Sequence, residues 1–144
     1  IAPGGLRQAG ARIAKYEFEI GGTNNMSNDF VIFRLSDIIL SLAEAQLNGA
    51  SGGSGAALVL VNSVRSRAGV APYTTLTPDL LFAERGREMY AEMTRRQDLI
   101  RFGKFNNAWW AKNASAPQYK LFPIPKPQID ANDKLVQNPG YTGG

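Results

Sequence analysis

Glu84, Glu88 and Glu92 fall four residues apart, the spacing that stacks side chains one turn above another on an α-helix. Paired carboxylates carry out glycoside hydrolysis, which sets two of them roughly 5 to 9.5 Å apart across the scissile bond. Glu84 and Glu88 on one helix would approach the closer spacing. That chemistry needs one carboxyl that stays protonated until it donates. Arg85, Arg87, Arg95, Arg96 and Arg101 crowd the same stretch, and a neighbouring guanidinium lowers a carboxylate pKa and works against a general acid. The residue types therefore point to a structural ion-pair network of Arg65, Arg67, Glu84, Arg85, Glu88, Glu92, Arg95, Asp98 and Arg101, with no catalytic residue. Arg65 and Arg67 lie two apart and so face different ways, tying neighbouring helices together through carboxylates. Arg34 and Asp37, three apart, can pair locally.

The sequence contains no histidine and no cysteine. The usual proton shuttle, the commonest metal ligand, thiolate metal sites and disulfides are all excluded. No Asp-x-Asp-x-Asp loop of the calcium-binding kind occurs, so neither metal nor cofactor is expected. For ligand binding the candidates are Trp109, Trp110 and Tyr119. Aromatic rings stack on the apolar C–H faces of sugars, and Asn106, Asn107, Lys112, Asn113 and Gln118 could bond hydroxyls beside them. The competing role for adjacent tryptophans is to anchor a loop on the helical core.

These residues need elements to hold them. Thr77-Pro78-Asp79 is a helix start: a capping hydroxyl, a proline suited to the first turn and an acid at the positive end of the dipole. From it the spacing predicts one long helix over 78–102, bent near Thr94, with Phe82, Met89, Met93 and Ile100 on one face. Two helices precede it. One is expected over 33–47, with Leu35, Ile38, Ile39, Leu42 and Gln46 as its inward stripe and Asn48-Gly49 as a left-handed stop. The second is expected over 56–68, with Ala57, Val61, Val64 and Ala68 inward and Gly69 ending it. The glycine-serine connector between them predicts an antiparallel hairpin. Alternation of Tyr16, Phe18 and Ile20 with charged residues predicts a short strand over 15–20, and residues 1–11 are expected to be loop. Phe122-Pro123-Ile124-Pro125 must be extended, 126–131 suits one helical turn, and Asn138-Pro139-Gly140-Tyr141 is a turn.

With 144 residues, 44% hydrophobic and 19% charged, the chain fits a single globular domain over 1–144. No stretch approaches the ~20 apolar residues of a membrane span. The net charge of +4 and pI near 9.6 would suit phosphate, but arginines interleave with glutamates and no nucleic-acid partner is expected. The chain opens on Ile1 and is expected to be part of a longer or processed protein.

Four stretches together resemble the C-terminal part of the SusD/RagB family. They are Asn28-Asp29-Phe30 with Arg34-Leu35-Ser36-Asp37 and Ala43-Glu44-Ala45; Asn62-Ser63-Val64-Arg65-Ser66-Arg67-Ala68-Gly69; Glu84-Arg85 through Glu88, Glu92, Arg95, Asp98-Leu99 and Arg101-Phe102-Gly103-Lys104; and Leu121-Phe122-Pro123-Ile124-Pro125 with Ala131-Asn132 and Gln137-Asn138-Pro139-Gly140-Tyr141. Met93 stands where the family often has glycine, Thr94 where histidine is common, and Gln128 where glutamate is frequent. The resemblance implies a mainly α fold of helical hairpins similar to tetratricopeptide repeats, with long loops and at most a short strand pair. It also implies a non-enzymatic, surface-exposed lipoprotein of the outer membrane in Bacteroidetes-type bacteria. Such proteins bind oligosaccharides or other nutrients and work with a SusC-like, TonB-dependent transporter. Membrane attachment would be only through a lipid anchor outside these residues. The competing reading is a helical-repeat scaffold for protein partners without glycan binding.

Overall fold

The computed structural model describes residues 14–17, 19–23 and 26–142. Among them the fold is mainly helical: α1 (Leu35–Leu47), α2 (Gly53–Arg67), α3 (Pro78–Glu88), α4 (Arg95–Arg101), a single 3-10 turn (Pro117–Lys120) and α5 (Lys126–Ala131). The chain divides into two compact units, Ile1–Asp98 and Leu99–Gly144.

In the first unit, α1 and α2 pack along each other as a hairpin, and α3 lies against α1. The turn between α1 and α2 uses glycines where side chains would be strained: Gly49 and Gly52 both have φ of +103°. Each helix turns inward one stripe at steps of four and three. In α1 it is Ser36, Leu40 and Ala43, and in α2 it is Ala57, Val61 and Val64. Small residues among these let the helix axes approach closely. The stripe expected on α1 faces the other way. Leu35, Ile38 and Leu42 are exposed, and Ile39 and Gln46 are only half-buried. Hydropathy marks an apolar face but not which neighbour will cover it, and here Leu40 and Ala43 take the contact.

Helix α3 begins as its sequence dictates. Thr77 Oγ1 accepts the Leu80 amide at 3.2 Å, and Pro78 occupies the first turn. The single long helix over 78–102 does not form. The chain leaves the helix at Met89, passes through left-handed conformations at Ala91 (φ +64°) and Met93 (φ +61°), and starts again at Arg95. Two such residues cannot belong to a right-handed helix. The predicted common face is therefore split: Met89 is buried whereas Met93 is exposed.

No strand forms among the described residues of 15–20; Phe18 and residues 1–11 lie outside the described set. Gly22 closes a turn onto the Glu19 carbonyl at 3.0 Å, and Ile20 is fully exposed. Alternation makes a strand only where a partner edge offers backbone hydrogen bonds, and the described residues supply none here. Tyr16 instead stacks near Phe30, ring centroids 6.1 Å apart.

In the second unit, side chains replace sheet partners for the extended segment after Lys120. The Gln137 carboxamide accepts from the Ile124 amide at 2.8 Å and donates to the Ile124 carbonyl at 2.9 Å, pairing with one residue as a strand would. Asn138 donates to the Phe122 carbonyl, and Tyr141 Oη donates to the Leu121 carbonyl at 2.8 Å. The turn at Asn138–Tyr141 closes at 3.2 Å through Gly140 at φ +86°, where a Cβ would meet Gln118 at 2.7 Å.

Candidate functional site

The charged residues of the first unit form three linked groups. Arg34, just ahead of α1, donates Nε to both Glu92 carboxylate oxygens at 2.9 and 2.7 Å and its terminal nitrogens to the Glu88 carboxylate and carbonyl. Lys15 joins Glu92, and Arg67 joins Glu88. Burial works against ionising Glu88, but Arg34, Ser36 and Arg67 outweigh it and hold its carboxyl below the usual range. Glu92 is likewise lowered: burial opposes, and Arg34 and Lys15 prevail. The second group sets Arg65 against Glu84 at 2.6 Å, with Arg87 on the same oxygen and the Arg65 guanidinium 3.8 Å from the Tyr73 ring centroid. The third is the most deeply buried. Arg85, 2% exposed, donates to Asp98, 0% exposed, at 2.9 Å and to Asp37 at 2.8 Å.

Of the residues expected in the network, Arg65, Arg67, Glu84, Arg85, Glu88, Glu92 and Asp98 thus meet partners of opposite charge. Arg95 takes another place. Its guanidinium lies 3.7 Å from the Phe82 ring centroid and donates to the Phe82 carbonyl at 3.0 Å. Burial and the nearby Arg85 pull its pKa down, with Asp98 opposing. Arg101 closes α4 in the second unit. The residue that sequence reasoning underrated is Arg34, which reaches Glu88 and Glu92 more than fifty positions away in place of Asp37 nearby. Asp37 in turn belongs to Arg85. An open cavity of about 440 Å³ beside the second group is lined by Arg65, Val70, Tyr73, Glu84, Arg87 and Glu88. Every carboxylate on its wall is already held by a guanidinium.

The aromatic candidates lie in the second unit on a pinned turn. Trp109 and Lys112 exchange both backbone hydrogen bonds at 3.0 Å, which puts Trp110 and Ala111 at the tip. Ala111 takes φ +63° to close it. Trp110 is 72% exposed. Trp109 is half-exposed, and the Lys112 ammonium sits 4.3 Å from its ring centroid. Lys112 donates to the carbonyls of Asn107 and Asn113 at 3.1 Å and to Ser115 Oγ at 3.4 Å. Asn106 fastens the other side of the loop, donating to Ser115 Oγ and the Ala116 carbonyl. Asn106 and Lys112, expected as partners for ligand hydroxyls, thus spend their donors on the loop itself. Tyr119 is exposed on the 3-10 turn. Among the described residues no cluster of three metal-ligating side chains occurs, and no helix is long and apolar enough to cross a membrane.

Comparison with known proteins decides the family. The family model described as the SusD family matches residues 4–141. The chain belongs to the SusD family. It is 36% identical over 123 residues to the starch-binding protein SusD of Bacteroides thetaiotaomicron, covering 78% of this chain and 22% of that protein. A SusD-like protein of Formosa agariphila is 31% identical over 153 residues, covering 90% of this chain and 30% of its own length. Among solved structures, the surface glycan-binding protein A from Bacteroides uniformis superposes with a TM-score of 0.62 at 28% identity, over 77% of this chain and 28% of that one. The SusD-family chain described here therefore spans less than a third of each of these relatives.

Proposed function

We propose that this SusD-family chain is part of a non-catalytic, cell-surface glycan-binding protein that delivers oligosaccharides to a SusC-like, TonB-dependent transporter in the outer membrane. The observation that carries the reading is family membership over nearly the whole chain, joined to relatives named for starch and surface glycan binding. The geometry of the carboxylates supports a binding role over hydrolysis. Arg34 holds the Glu88 and Glu92 carboxyls below the usual range, which works against the protonated form a general acid needs, and both Arg65 and Arg87 bond to the same Glu84 oxygen. In this reading the first unit is scaffold. The aromatics Trp109, Trp110 and Tyr119 are the chain's own candidates for sugar contact, with Trp110 foremost because a pinned turn presents it with little ordering left to do on binding.

The test is saturable binding of the full-length protein to a panel of soluble polysaccharides, followed by co-purification from membranes. The expected result is retention of at least one glycan, no release of sugar product, and a TonB-dependent transporter in the purified complex. Product release abolished by Glu84→Gln or Glu88→Gln would replace this reading with a glycosidase.

A further inference from the structure

Charge is divided unevenly along the chain. Residues 1–98 hold ten of the sixteen cations and ten of the twelve carboxylates, so they are neutral as a group. Residues 99–144 hold six cations against Asp130 and Asp133, and so carry the whole net charge of +4. Asp130 already meets Lys126 Nζ at 3.3 Å. The same unit displays Trp110, Tyr119 and Phe122 to solvent. At the base of the tryptophan turn, Lys112 places a full positive charge 4.3 Å from the Trp109 ring, and all three of its acceptors are neutral oxygens. Among the described residues, Lys112 has no ion pair with a carboxylate.

We propose that the glycan met at the Trp109–Lys112 turn is an acidic polysaccharide, one whose sugars carry uronate carboxylates or sulfate esters. The inference rests on the glycan-binding reading above and adds the sign of the ligand's charge. An indole face takes the C–H face of any pyranose, which makes it indifferent to charge. The Lys112 charge beside it is not indifferent. Within a Debye length of about 8 Å at physiological salt it attracts anionic groups and gives nothing to a neutral polymer. The two features together select a sugar ring that bears an acid. Because the Lys112 donors are already spent, its contribution is the field at the turn, with acid groups held mainly through water.

The experiment measures retention of the full-length protein on matched polymers: polygalacturonate against its methyl ester, and dextran sulfate against dextran. The two acidic arms separate carboxylate from sulfate. Acidic members should be bound at least about tenfold more tightly than their neutral partners, and the preference should fall as salt rises and the Debye length shrinks. Trp110→Ala leaves net charge and fold intact, so it separates a site from ion exchange on a basic protein. It should weaken acidic-polymer binding by roughly tenfold, the upper range for an aromatic contact. Equal or preferential binding of the neutral partners overturns the inference and leaves the glycan reading standing. So does acidic binding unchanged by Trp110→Ala. Binding to no glycan, neutral or acidic, overturns both.

Discussion

Arg34 and Arg85 show how two arginines can do different work in one network. Arg34 is partly exposed and satisfies two glutamates at once, whereas Arg85 is buried between Asp98 and Asp37. Removing a partner from a buried pair leaves a desolvated charge, so Asp98→Ala should destabilise the protein by about 3 kcal/mol, read from the midpoint of chemical denaturation. A much smaller loss would mean that Asp37 and Glu44 suffice for Arg85. Met93 gives the opposite kind of case. It is exposed and held at φ +61°, so its side chain contributes little packing while its backbone is strained. Met93→Gly should stabilise by about 1 kcal/mol, the cost of the left-handed region for a residue with a Cβ. An unchanged or lowered denaturation midpoint would show that Met93 packs in a way its exposure does not reveal.

At the scale of elements, the break between α3 and α4 is what takes Glu92 out of the glutamate row and brings it, with Glu88, onto Arg34. On one continuous helix Glu84, Glu88 and Glu92 would stand in a mutually repelling row. In the fold Glu92 leaves the helix and closes on Arg34 and Lys15, while Glu84 and Glu88 stay on α3 facing arginines of α2. This arrangement gives stability a definite pH dependence. Glu88 and Glu92 have folded pKa values below the unfolded value of about 4.3, so their contribution is complete above that pH and is lost as pH falls through the folded values. Thermal melts of the full-length protein should show Tm falling on acidification through that range. Glu92→Gln should lower Tm at neutral pH and flatten the acid slope. Parallel slopes for wild type and variant would remove Glu92 from the explanation.

At the scale of the whole molecule, the first unit leaves an apolar stripe uncovered on α1. Leu35, Ile38 and Leu42 repeat at steps of three and four and are 73%, 58% and 48% exposed. A row of this kind on a water-facing helix favours association. Residues 1–144 expressed alone should therefore self-associate with rising concentration in sedimentation experiments, and Ile38→Lys with Leu42→Glu should return them to monomers. A wild-type chain that stays monomeric at high concentration would show that the stripe is tolerated in water.

The sequence by itself determined what local chemistry decides. The capped start at Thr77, the glycine stops after α1 and α2, the one-turn helix over Lys126–Ala131 and the turn at Asn138–Tyr141 all depend on interactions within a few residues. The family was legible for a related reason, since its motifs combine these same local signals with charged residues in a fixed order. Tertiary structure decided the rest. Whether Leu40 or Leu42 faced inward depended on the shape of α2. Whether residues 15–20 became a strand depended on an edge being present to pair with. Where Arg34 pointed depended on Glu88 and Glu92, carried to it by the packing of α3 against α1. The split between Trp109 beside a lysine and Trp110 in solvent came from the turn that Ala111 closes, a backbone conformation that no propensity assigns to alanine.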